Sequence, residues 1–216
     1  IESIGELLYA CKENRLKLYK GFGEKTQQNV MESIEFYLSS HGSYLHPQVE
    51  AVVPQITAYL EKSFGPENVF ITGSFKRQLE IIEELEYVIK SSNEAIKPKF
   101  QSANPPELLE EKPGTLLYKL LNGLKLRLYT GETDVEKRLF VSSSSPEFSE
   151  TFLARYPNLD FSKVSGADDQ PIFTQAGISY IPACLREMPT IIDRAKKAPL
   201  PDLIQPFDIL SLIHIS

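Results

Sequence analysis

Ile4, Leu7, Leu8 and Cys11 recur three and four positions apart, the spacing that lines one face of a helix, and predict a helix over 3–14. A short helical turn follows at 16–19, after which Lys20, Gly21, Phe22, Gly23, Glu24, Lys25 and Thr26 interrupt the apolar pattern. Beyond that interruption Val30, Ile34, Tyr37 and Leu38 share one face of a second helix, which the run Ser40, His41, Gly42 brings to an end. Residues 47–64 read as a further amphipathic helix, broken by Gly65 and Pro66.

The pattern then changes period. Val69, Phe70 and Ile71 mark a short buried strand over 68–72 that ends in Gly73 and Ser74, and 85–89 is a second strand. Residues 91–106 are polar and proline-bearing, a loop with one helical turn. The runs 116–121 and 124–129 flank Asn122 and Gly123, a strong hairpin signal. Ser142, Ser143, Ser144 and Ser145 form a loop before a helix over 146–155. A helix over 168–176 stops at Gly177, residues 178–182 are extended, and 195–204 is a linker containing Pro199 and Pro201. The expected fold class is α+β: an all-helical unit over 1–42, a small mixed sheet with a leading helix over 43–145, a small helical segment over 146–195, and a linker over 196–216.

Composition narrows the function classes. The chain has 216 residues and is 42% hydrophobic and 24% charged, as in ordinary globular proteins. It carries no apolar run long enough to cross a membrane and no basic-then-apolar leader. Cys11 and Cys184 have no metal-ligand spacing, which points to a reducing, cytoplasmic setting and predicts no zinc site. The net charge of −6 argues against a partner held by a broad basic surface, so any nucleic-acid contact must be local. A first residue of Ile1 and an end at Ser216 within an apolar run give the expectation of a piece of something longer.

The interruption at 20–26 carries the most chemistry. Gly21 and Gly23 allow a sharp turn between two helices and let a phosphate approach the main chain. The first amides of the second helix are unpaired donors, and the helix dipole favours an anion there. Lys25 adds a positive charge, Thr26 a hydroxyl, and Phe22 is expected to point between the helices. Such contacts ignore base sequence. The same residues also make a plain glycine corner between helices. Asp168 and Asp169 read as a cap for the helix that follows them, and Glu80, Glu83, Glu84 and Glu86 as an acidic cluster along a strand edge. The serine run lacks the glycines of a nucleophile elbow.

The run 16–26 resembles the second helix-hairpin-helix of the bacterial family X DNA polymerases. The run 69–77 is similar to their nucleotidyltransferase strand and Gly-Ser turn. Ile172, Phe173, Gly177, Ile178, Tyr180, Ile181, Pro182, Leu185, Arg186 and Glu187 are similar to their thumb, and the order of the three segments agrees. The resemblance implies sequence-independent binding of DNA gaps or ends through Gly21 to Thr26. It also implies a triphosphate site at Gly73, Ser74, Lys76 and Arg77, and two Mg2+ ions held by carboxylates. It implies as well a carboxy-terminal phosphoesterase domain of the polymerase-and-histidinol-phosphatase type, beginning near Phe207, Asp208 and Ile209.

The chain departs from that family where catalysis resides. Glu84 and Glu86 stand where two aspartates are expected, and the strand of Leu124, Lys125, Leu126, Arg127, Leu128 and Tyr129 lacks the third acid and carries a cation instead. Val141 and the serine run match the sugar-binding segment poorly. His214 has no second histidine at 216, so 196–216 reads as a linker into a missing or truncated phosphoesterase. The expectation is a DNA-repair fragment with no catalytic residue of its own and a degenerate polymerase centre, which positions a 3′–5′ exonuclease. An active polymerase using Glu84 and Glu86 with Mg2+, or a protein-interaction scaffold, are the alternatives.

Overall fold

The computed structural model describes residues 3–40, 42–101, 103–164, 166 and 168–201. The expected helix stop at His41, and the readings of Phe207, Asp208, Ile209 and His214, lie outside the described residues.

Helix α1 (Ile4–Lys12) starts at Ser3, whose hydroxyl accepts the Glu6 amide, and a 3-10 turn at Leu16–Leu18 leads to α2 (Glu24–Ser40). Leu8, Ala10, Cys11, Leu16 and Leu38 are buried between these helices, with Val30 and Ile34 at the margin. Tyr37, expected on the packed face, is exposed. Strand β1 (Tyr44–Leu45) then precedes α3 (His46–Glu50) and α4 (Val53–Phe64). The single helix expected over 47–64 is thus two. Pro54 has no amide to donate to the carbonyl one turn back, so the first helix stops and the second restarts with the proline in its first turn.

Strand β2 (Val69–Thr72) runs straight into α5 (Gly73–Lys76), so the expected turn at Gly73 and Ser74 is one short helical turn. Then come β3 (Ile81–Ile82), β4 (Glu84–Ile89), α6 (Asn93–Ile96), a 3-10 turn at Lys97–Phe100, β5 (Glu107–Lys112), β6 (Thr115–Lys119) and β7 (Lys125–Thr130). Five strands form one sheet in the order β2-β4-β7-β6-β5, parallel between β4 and β7 and antiparallel elsewhere; β1 and β3 make a second, two-stranded sheet. The hairpin expected around Asn122 and Gly123 is present: Gly123 has φ +87°, and the Asn122 side chain accepts the Leu124 amide.

The last part holds α7 (Val135–Ser142), α8 (Pro146–Arg155), α9 (Gln170–Ala176) and α10 (Thr190–Lys197). Gly177 ends α9 at φ +68°, as its position suggested. Residues 178–182 pair with no strand, and α10 extends into the expected linker. The molecule is a mixed α+β architecture with several helices and two small sheets. Its cores are separate: one joins the five-stranded sheet to α4, and another gathers Phe140, Phe148, Phe152 and Phe173 among the last helices.

Candidate functional site

The glycine hairpin stands out from the body of the protein. Tyr19, Lys20, Gly21 and Phe22 form a four-residue turn closed by the Phe22 amide donating to the Tyr19 carbonyl at 3.1 Å. Gly21 takes φ +98° there, a conformation that L side chains resist. Gln27 is buried beneath and donates to Asn14, itself at φ +59°, which fixes where α2 begins. Lys17 reaches across the turn to Glu24 at 3.0 Å and offsets that acid. Lys20 and Lys25 are exposed and make no ion pair among the described residues. Phe22, expected between the helices, is 40% exposed, whereas Leu16 and Gln27 are buried.

The two glycines differ in a telling way. Gly21 is required by its backbone angle. Gly23 has no positive φ, and a Cβ built on it would meet nothing within 4 Å. Neither the backbone nor internal packing therefore demands glycine at 23. Its carbonyl accepts the Gln27 amide as the first bond of α2, so the Glu24, Lys25 and Thr26 amides lack partners within the helix.

The second candidate lies at the end of β2. Glu84 and Glu86, two apart on β4, share one face of the sheet. Parallel pairing with β7 brings Arg127 to that face, where its Nε and Nη2 donate to Glu84 at 2.5 and 3.1 Å; a third contact reaches Glu110 at 3.5 Å. Glu84 holds the Arg127 guanidinium well above its ordinary pKa by this bidentate bond. Glu86 is turned over Gly73. Its Oε1 accepts the Ser74 amide at 3.1 Å and its Oε2 accepts the Tyr129 hydroxyl at 2.7 Å. Burial first, and then the Glu86 charge, push the Tyr129 pKa up.

This arrangement does not fit a pair of magnesium ions. One carboxylate is saturated by a guanidinium, the other by an amide and a phenol, and no group of three metal-ligating side chains occurs among the described residues. The anion-binding position on Ser74 is filled by the chain's own carboxylate. Arg77, expected at a triphosphate, donates instead to Glu187 at 2.6 Å and to the Ser142 and Ser144 carbonyls at 3.4 Å. Lys76 is half-buried, and its pKa is lowered by desolvation, with Asp169 opposing and Arg186 adding to that shift.

The serines and the acidic pair have structural posts. Ser142 closes α7, Ser143 and Ser144 donate to the Phe140 carbonyl, and Ser145 caps α8 while donating to the Glu187 carbonyl. Asp168 accepts the Gln170 amide, as a capping acid should. Asp169 does not cap: its carboxylate is buried against Arg186 at 2.6 Å.

A cleft of roughly 780 Å³ opens between the sheet and α7, and is lined by Glu86, Tyr129, Lys137 and Arg138 among others. Lys137 and Arg138 escaped the sequence reading because residues 131–141 were assigned no element. The spacing of four between Val135 and Leu139, both buried, was the signal that places them on a helix. Arg127 was visible as a cation on its strand, but its bond to Glu84 depends on a parallel register that local pattern does not encode. Neither a protein-family model nor a curated protein sequence matches the chain.

Proposed function

We propose that this chain binds the sugar-phosphate backbone of DNA through Gly21 to Thr26 without reading base sequence, and that its nucleotidyltransferase-like centre is not catalytic. In this reading 1–42 is a helix-hairpin-helix unit, 43–145 a degenerate polymerase palm and 146–195 a thumb. The whole is of the bacterial family X polymerase kind and serves to place a carboxy-terminal 3′–5′ phosphoesterase on gaps or ends during DNA repair.

The observation that carries the DNA-binding reading is Gly23. A glycine that nothing inside the molecule requires, at the mouth of a 17-residue helix beside two unpaired lysines, leaves room for an outside group to reach the amides. For the inactive centre, the support is the bond between Glu84 and Arg127 and the seat of Glu86 on Ser74. An active centre would need both carboxylates released and a third acid supplied.

Gly23→Ala is the sharpest test, since the added methyl enters open space and leaves φ unstrained. Anisotropy titrations with gapped duplex DNA should show about tenfold weaker binding at unchanged thermal stability, a loss equivalent to about one charge-assisted hydrogen bond. A salt slope corresponding to only two or so phosphates should accompany it. Equal binding by both proteins would remove the hairpin from the DNA contact. Metal-dependent primer extension abolished by Glu84→Ala would overturn the inactive centre.

A further inference from the structure

Leu18, Tyr19 and Phe22 are 83%, 67% and 40% exposed within five positions of the chain, a density of apolar surface that a protein of net charge −6 does not place at random beside three lysines. Tyr19 and Phe22 occupy the first and last positions of the closed turn, so their Cα atoms lie within about 7 Å by the geometry of such turns. The two rings are not packed on one another or on any other ring among the described residues. Lys20 sits at the apex between them, with Lys17 and Lys25 on either side.

We propose that Tyr19 and Phe22 form a stacking platform for an unpaired base, so that the hairpin prefers DNA whose bases are unstacked at a gap or an end. The proposal rests on the DNA-backbone reading above and adds a base-contacting part to it. A duplex hides its base faces and would leave both rings in water. A single-stranded stretch offers flat apolar faces interleaved with negative charge, which suits rings interleaved with lysines. An acidic protein surface would satisfy the lysines but not the need for a flat face. A second copy of this chain, of net charge −6, would likewise offer the lysines carboxylates but no flat face.

The test uses the whole 216-residue chain. Its probes are a gapped duplex carrying 2-aminopurine in the gap and the same duplex fully paired. In the wild type the probe's fluorescence is expected to be quenched on binding. Tyr19→Ala should weaken gap binding roughly five- to hundredfold, abolish the quench and leave duplex binding within about twofold. Tyr19→Phe should keep both gap signals, because the ring rather than the hydroxyl does the stacking. The Tyr19 side chain is exposed, so circular dichroism of both variants should match the wild type. Equal loss on the two DNAs, no loss on either, or no quench in the wild type would overturn the platform while leaving backbone binding intact. Failure of the wild type to bind either DNA would overturn the backbone reading and the platform together.

Discussion

Tyr87 has no exposed surface, yet it carries a hydroxyl, which shares a 2.6 Å hydrogen bond with Thr57. Burial raises its pKa to about 12, against an ordinary value of 10.0. The folded state therefore favours the neutral phenol. Its contribution is complete below pH 10 and is lost as pH rises from there through about 12. That loss amounts to roughly 3 kcal/mol. Tyr118 and Tyr129 are shifted in the same direction, so Tyr87→Phe should make the alkaline fall in urea-unfolding stability shallower without abolishing it. An unchanged slope would show that the Tyr87 phenol ionises in the fold as freely as in the unfolded chain. At this scale the sequence was an uneven guide. It marked Gly21 and Gly23 as a pair, but the backbone angle of one and the open space around the other separate their roles.

The junction of β2, α5 and β4 is held by one close approach. Gly73 has φ +69°, and a Cβ there would collide with the Glu86 carboxylate and stand 2.7 Å from Glu86 Cβ. Gly73→Ala should cost about 1–2 kcal/mol for the left-handed backbone alone, with the displaced carboxylate adding to it. A double-mutant cycle with Glu86→Ala, followed by urea unfolding, should recover only part of the loss, because the Cβ of residue 86 remains. Full additivity would mean that Glu86 swings clear without penalty. Elements of strong local pattern were legible in the sequence: α1, α2, the hairpin of β6 and β7, α8, and α9 with its closing glycine. Strand β5 was not, because Leu108 and Leu109 are neighbours followed by two glutamates, and an exposed edge strand has no buried face to impose alternation. The candidate site was legible as a list of residues. Its wiring was not, since the partners of Glu84 and Arg77 come from elements far along the chain.

Across the whole molecule the parts are braced by a few polar and charged side chains. Ser3 donates to Glu80 and Tyr44 to the Asn122 carbonyl, which ties the first helices to the sheet; Arg77 with Glu187 ties the sheet to the last helices. Within those helices Arg186 is wholly buried among Phe140, Phe173 and Tyr180, with Asp169 as its counterion. Asp169→Ala would leave that guanidinium buried and unpaired with Lys76 nearby, and should cost about 3–5 kcal/mol in urea unfolding. Replacing both partners, Asp169→Leu with Arg186→Met, should cost less; a larger loss would mean that the pair attracts more strongly than its burial penalises it.

The parallel pairing of β4 with β7, in which Glu84 faces Lys125, imposes an order on the chain's assembly. Strands β5, β6 and β7 follow one another as a meander, and each closes on its neighbour over a short loop. Strand β4 must wait for that meander before it finds its edge, since the segment between them has to be looped out first. The contacts that disarm the carboxylates, Arg127 on Glu84 and Tyr129 on Glu86, therefore belong to the late, slow part of folding. Until that step is complete β4 is paired with β2 alone, and Glu84 and Glu86 lack the partners that β7 brings.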